Sequence, residues 1–86
     1  MRDTKYAREL REPAVKKWPG GSEGRIERLY VKGTKKEEIR FPWWKNGKIT
    51  TRPLDLPEDD LAELFAEAVA KDIFTDSFRL KLRSLL

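Results

Sequence analysis

The chain has 86 residues, 38% of them hydrophobic, and contains neither cysteine nor histidine. A chain this short makes one domain with a thin core, because only about 60–65% of the extended-chain surface is buried at this size. The missing residue types exclude disulfide staples, thiolate nucleophiles, imidazole bases and nearly all zinc sites. The net charge of +4 hides an asymmetry: residues 1–52 carry 15 Lys/Arg against 7 Asp/Glu, and residues 53–86 carry 4 against 8. A basic half beside an acidic half steers a polyanion to one side, or holds two halves of one domain together.

In chain order, residues 1–24 read as an N-terminal arm, partly helical or mobile. "TKYARELRE" (4–12) has the spacing of a short helix capped by Thr4 and stopped by Pro13. "WPGGSEG" (18–24) is turn chemistry, with Trp18 as the arm's anchor. A single α+β domain over 25–86 follows.

Its first half predicts a three-stranded antiparallel meander over about 25–32, 37–44 and 48–54. Asn46-Gly47 between two apolar runs is a type I′ hairpin signal, since both residues accept positive φ. A two-residue loop fixes register, pairing Lys45 with Lys48, Trp44 with Ile49 and Trp43 with Thr50. Trp43 and Trp44 then point to opposite faces of the sheet. One face carries Ile26, Tyr30, Ile39, Phe41 and Trp43 and is assigned to the core. The other carries Leu29, Val31, Arg40, Trp44 and Ile49. Pro42 cannot donate to a ladder, so it predicts a bulge or an N–H position turned away from a partner.

The second half predicts a C-terminal helical hairpin over about 56–71 and 76–86, packed on one face of the sheet. "DLPE" (55–58) has capping-box spacing with Asp55 as N-cap. Leu61, Leu64, Phe65, Ala68 and Val69 fall on one side of the first helix. Thr75 or Asp76 caps the second, which groups Phe78, Leu82, Leu85 and Leu86. Leu80 points away from that group, beside Arg83.

Little catalytic chemistry is available. The three serines have no histidine to activate them. "PGGSEG" matches neither a P-loop nor a dinucleotide fingerprint. Glu58, Asp59 and Asp60 in a first helical turn complement the helix dipole, and no second set of ligands lies nearby in sequence to make them a Mg²⁺ site. The sequence therefore reads as non-enzymatic, with no cofactor, metal or small-molecule substrate. With no apolar run of membrane-spanning length and no signal-peptide core, a soluble cytoplasmic protein is expected.

Binding remains. The first expectation is an accessory protein that binds another protein, or a second copy of itself as a homodimer, through the outer sheet face. Its residues are Trp44, Leu29, Val31, Ile49 and Arg40, with Leu80 as a further apolar contact. The competing reading of Trp44 is that the N-terminal arm folds back over it. The alternative function is single-stranded nucleic-acid binding through a basic surface bearing aromatics, at Lys16, Lys17, Trp18, Lys32, Lys35, Lys36, Arg40, Lys45 and Lys48. A helix-turn-helix reading of 57–86 is weaker, because its first helix would present Glu58, Asp59, Glu63 and Glu67 to phosphates.

Overall fold

A computed structural model describes all residues, Met1–Leu86. The strands are β1 (Ala7–Glu9), β2 (Ala14–Lys17), β3 (Ser22–Val31), β4 (Lys36–Arg40), β5 (Trp43–Lys45) and β6 (Lys48–Ile49), followed by helices α1 (Glu58–Ala70) and α2 (Asp76–Leu85). The class is α+β: an antiparallel sheet curled into a half-barrel, with the two helices packed against it.

The ten-residue β3 organises the sheet. Along one edge it pairs first with β2 (Ala14 opposite Ile26) and then with β1 (Glu9 opposite Leu29). Along the other it pairs with β5 (Gly24 opposite Trp43) and then β4 (Glu27 opposite Arg40). Residues 4–12, expected as a helix, supply strand β1 instead. Ala7 and Glu9 both turn inward, which is the two-residue period of a strand. Local propensity loses here to the unpaired edge of β3, which offers backbone partners over its whole length.

Pro42 does not create a bulge. Three steps separate Arg40 from Trp43 and three separate Glu27 from Gly24, so the register is continuous. The Arg25 amide donates to the Pro42 carbonyl at 3.1 Å, and proline has no N–H to return the bond. The ladder is interrupted without slipping. Extra residues lie on the opposite edge, where Leu10–Pro13 stand against only Glu27 and Arg28. That insertion bends the edge and tightens the curl.

The Asn46-Gly47 hairpin forms in the expected register, Trp44 opposite Ile49 and Lys45 opposite Lys48, with φ of 49° and 78° at the two turn residues. Gly21 supports it: its φ is 86° and its carbonyl accepts from the Asn46 amide at 2.9 Å. A Cβ at position 21 would strike the Asn46 side-chain oxygen. Gly21→Ala is therefore expected to cost about 1–2 kcal/mol from the left-handed backbone alone, read as a lower urea midpoint. Gly33→Ala, with open space around its Cβ, is the neutral control.

Helix α1 begins two residues later than the capping-box pattern implies. Its N-cap is Pro57, with no side-chain cap. A proline disfavours helical backbone at the residue before it, so Leu56 stays extended and Asp55 cannot cap. Leu54 and Leu56 pack on the core instead. The helix ends in a Schellman arrangement. Asp72 takes φ 58°, and the Ile73 amide reaches the Ala68 carbonyl at 2.9 Å. Thr75 caps α2, its hydroxyl accepting from the Phe78 amide at 3.2 Å.

The main core lies between sheet and helices: Ala14 and Ile26 from the sheet, Leu64 and Ala68 from α1, Ile73 and Phe74 from the connector. Phe65 and Phe74 meet edge-on at 5.5 Å. Lys16 reaches Glu63 at 2.5 Å and Asp60 at 3.6 Å, and Lys71 reaches the Pro13 carbonyl at 3.0 Å, so polar contacts tie the first half and the end of α1 to the β2 edge. The Glu63 carboxylate holds the Lys16 ammonium above its usual range. Val69, expected in the stripe, is 42% exposed. No helix is long and apolar enough to cross a membrane.

Candidate functional site

The sheet face turned away from the helices carries Ala7, Glu9, Glu27, Leu29, Val31, Arg40, Trp44 and Ile49 by register. Ala7, Leu29 and Val31 form a second buried cluster. Residues from β1 and β6, the opposite ends of the sheet, line one cavity of about 340 Å³ together with Arg2, Glu9, Arg40 and Trp44. The curl therefore closes around this face, and the N-terminal arm covers what remains.

Trp44 is 2% exposed. Guanidinium groups of Arg2 and Arg25 lie over its ring, each 4.3 Å from the centroid. Its indole N–H donates to Glu27 Oε2 at 3.1 Å. Arg40 Nε donates to the other oxygen at 2.7 Å, and Arg25 stands 3.8 Å away. Glu27 is fully buried, a position a carboxylate tolerates only with such partners. The arm itself is held by the Glu9 amide donating to the Arg2 carbonyl at 2.9 Å and by Lys32, which reaches Asp3 at 2.5 Å. The hydrogen bond from Lys32 keeps the Asp3 carboxyl below its ordinary value. Glu9 Oε1 is buried with no donor.

Of the six residues assigned to protein contact, Trp44, Leu29 and Val31 are thus interior to the chain, and Arg40 is committed to Glu27. Ile49 is exposed at the rim of the cavity and Leu80 is 62% exposed on α2. These two are far apart in the fold's layers and make no shared patch. Trp43 lies on the helix-side face by register but at its end. It packs on Trp18 at 5.0 Å and carries Arg52 over its ring at 5.1 Å.

The nine residues of the nucleic-acid alternative are dispersed. Lys16, Lys32 and Arg40 are paired with carboxylates within the chain. Lys35 and Lys36 sit in and beside the β3–β4 turn, whereas Lys45 and Lys48 flank the β5–β6 hairpin, at the other end of β3. Ten strand residues put about 30 Å between those ends. Lys17 and the half-buried Trp18 adjoin only the second group.

A surface that the sequence pattern marked by one residue alone is the helical hairpin. No residue of α2 is buried. Phe78 contacts Phe74 at 5.1 Å, and Leu82 is half-buried. A groove of about 790 Å³ is lined by Val69, Leu80, Leu82 and Leu86 together with Asp76, Arg79 and Arg83. Its sequence signal was Leu80, which has no place in the stripe of Phe78, Leu82, Leu85 and Leu86; the structure brings Leu82 and Leu86 of that stripe into one groove with Leu80. A scan against protein-family models found no match, and searches of curated proteins and of solved structures found none either.

Proposed function

We propose that this is a non-enzymatic interaction protein that docks through its C-terminal helical hairpin. The observation that carries the reading is that α2 is amphipathic and yet buries none of its residues. A ten-residue helix is marginal in water on propensity alone, so an exposed apolar side is costly unless something covers it. Phe78, Leu80, Leu85 and Leu86 are all exposed, and Leu80 and Leu86 line one groove with Val69 of α1. Single exposed leucines are ordinary; several lining one groove mark a contact surface. The outer sheet face, once Trp44 is roofed by the arm, offers much less.

A photo-crosslinking side chain at position 80, in the full chain expressed in cells, tests this. A discrete adduct band is expected from position 80 and none from position 36, an exposed site at the end of the sheet. No adduct at 80, or equal adducts from both sites, overturns the docking surface.

Nucleic-acid binding is disfavoured by the dispersal of the cations. A single-stranded oligonucleotide is expected to bind no more tightly than the general non-specific range of about 10⁻⁴–10⁻⁶ M at physiological salt. Tighter binding that weakens steeply with salt, and is lost on replacing Lys17, Lys45 and Lys48 by Ala, would reverse that judgement. The Trp18–Trp43 pair would then be its stacking platform.

A further inference from the structure

We infer that the occupant of the α2 surface is a second copy of this chain, bound across a two-fold axis so that α2 of each copy lies antiparallel on α1 of the other. This rests on the docking role of the hairpin proposed above and adds the identity of the partner. Three independent observations lead to it.

The first is area. The chain exposes 6274 Å², about 1,000 Å² more than the roughly 5,300 Å² typical of a monomer of 10.1 kDa. A standard interface covers about 800 Å² on each partner, so the excess is the size of one such contact. The radius of gyration, 13.3 Å, also exceeds the roughly 12 Å of a compact chain this long.

The second is charge. Residues 58–70 of α1 include five acids and no Lys or Arg, and Glu58 and Asp59 in its first turn have no cation partner within the chain. On α2, Lys81 and Arg83 have no carboxylate partner, while Arg79 is paired with Asp76. The unpaired acids lie at the start of α1 and the unpaired cations towards the end of α2. An antiparallel arrangement brings the two sets together, and it also opposes the helix dipoles.

The third is shape. The outward side of α1 carries Ala62, Ala66, Val69 and Ala70, all exposed. Side chains this small let another helix approach closely. Leu80 of the second copy has an apolar seat there, and the groove at Val69 and Leu86 closes against its symmetry mate. A two-fold axis makes both contacts at once, because one surface patch serves as donor and receiver.

Sedimentation velocity of the purified full chain over a micromolar concentration series tests the inference. A dimer is expected, retained at high salt because its centre is apolar. Leu80→Glu should weaken association by more than about 30-fold, with the far-UV spectrum and thermal midpoint of the monomer unchanged, since Leu80 is exposed in the free chain. Arg83→Glu and Asp59→Lys should each weaken it, by about tenfold at most. The double variant, which restores opposite charges across the axis, should recover most of the wild-type affinity. A wild-type chain that stays monomeric throughout the series overturns the inference, and so does a double variant no better than either single one. An adduct from position 80 of a mass other than twice the chain would keep the docking surface and remove the second copy. No adduct at all would remove both.

Discussion

Replacing Glu27 by Ala is expected to destabilise the fold by about 3–5 kcal/mol, the usual cost of removing one partner from a buried ion pair. The size follows from what is left behind. Glu27 answers the guanidinium of Arg40 at 2.7 Å and the Trp44 indole N–H at 3.1 Å, with Arg25 at 3.8 Å. Its own side chain is 1% exposed, so water cannot take over its role without entering the curl of the sheet. Arg40→Ala should cost distinctly less. Its side chain is 32% exposed, and its loss leaves Glu27 with the indole and Arg25. For a domain of this size 1 kcal/mol moves the thermal midpoint by roughly 4–8 °C, so the two variants separate clearly in a calorimetric scan. Equal midpoints for Glu27→Ala and Arg40→Ala would show that the carboxylate is not the centre of this network. Glu27→Met together with Arg40→Met should recover much of the loss, because an apolar pair of similar volume carries no unpaired charge.

The second large effect is expected at Trp44. Trp44→Ala should cost about 3–5 kcal/mol, as for other buried large aromatics truncated to Ala. Trp43→Ala should cost clearly less, since Trp43 is half-buried and leans on Trp18 at the end of the sheet. The two residues are neighbours in sequence and nearly equal in chemistry, so the difference isolates the environment. Trp44→Ala should also free the N-terminal arm. Arg2 loses the ring on which its guanidinium rests at 4.3 Å, and trypsin should then cut earlier at Lys5 and Arg8. The cost of Trp44→Ala combined with Glu27→Ala should fall short of the sum of the two, because both remove the same 3.1 Å hydrogen bond. A Trp44→Ala chain with wild-type resistance to trypsin would show that the arm is held by its backbone bonds alone.

The buried face and the docking face make opposite use of apolar groups. Around Trp44 the sheet curls upon itself and three arginines from the arm, β3 and β4 supply the polar partners of Glu27 and the stacking partners of the ring. On α2 no residue is buried, and Leu80, Leu85 and Leu86 stay exposed. Neutralising the central carboxylate should therefore damage folding, whereas Leu80→Glu should damage association and leave the monomer intact. Thermal midpoint and sedimentation report these separately.

Much of the architecture was already present in local residue patterns. Asn46-Gly47 dictates its hairpin and the register of Trp44 with Ile49, because positive φ at two adjacent residues is a short-range requirement. A cap at Thr75 or Asp76 (the structure uses Thr75), the end of α1 near Lys71 and the core positions Leu64 and Ala68 likewise follow from capping chemistry and the 3.6-residue period. Alternation along β3 correctly put Ile26 beneath the helices and Leu29 and Val31 on the reverse.

Only the tertiary structure decided what covers that reverse. Residues 7–9 become a strand because β3 has an open edge to fill, a fact about a partner some twenty residues away in sequence. Whether Trp44 meets solvent depends on Arg2 and Arg25 arriving from two other segments, and whether Lys16 or Arg40 is free for a phosphate depends on where Glu63 and Glu27 stand. Patterns of period two or 3.6 specify which way a side chain points from its own backbone. They carry no information on what approaches it from the other side, and for this chain that approach separates a buried tryptophan from an exposed leucine.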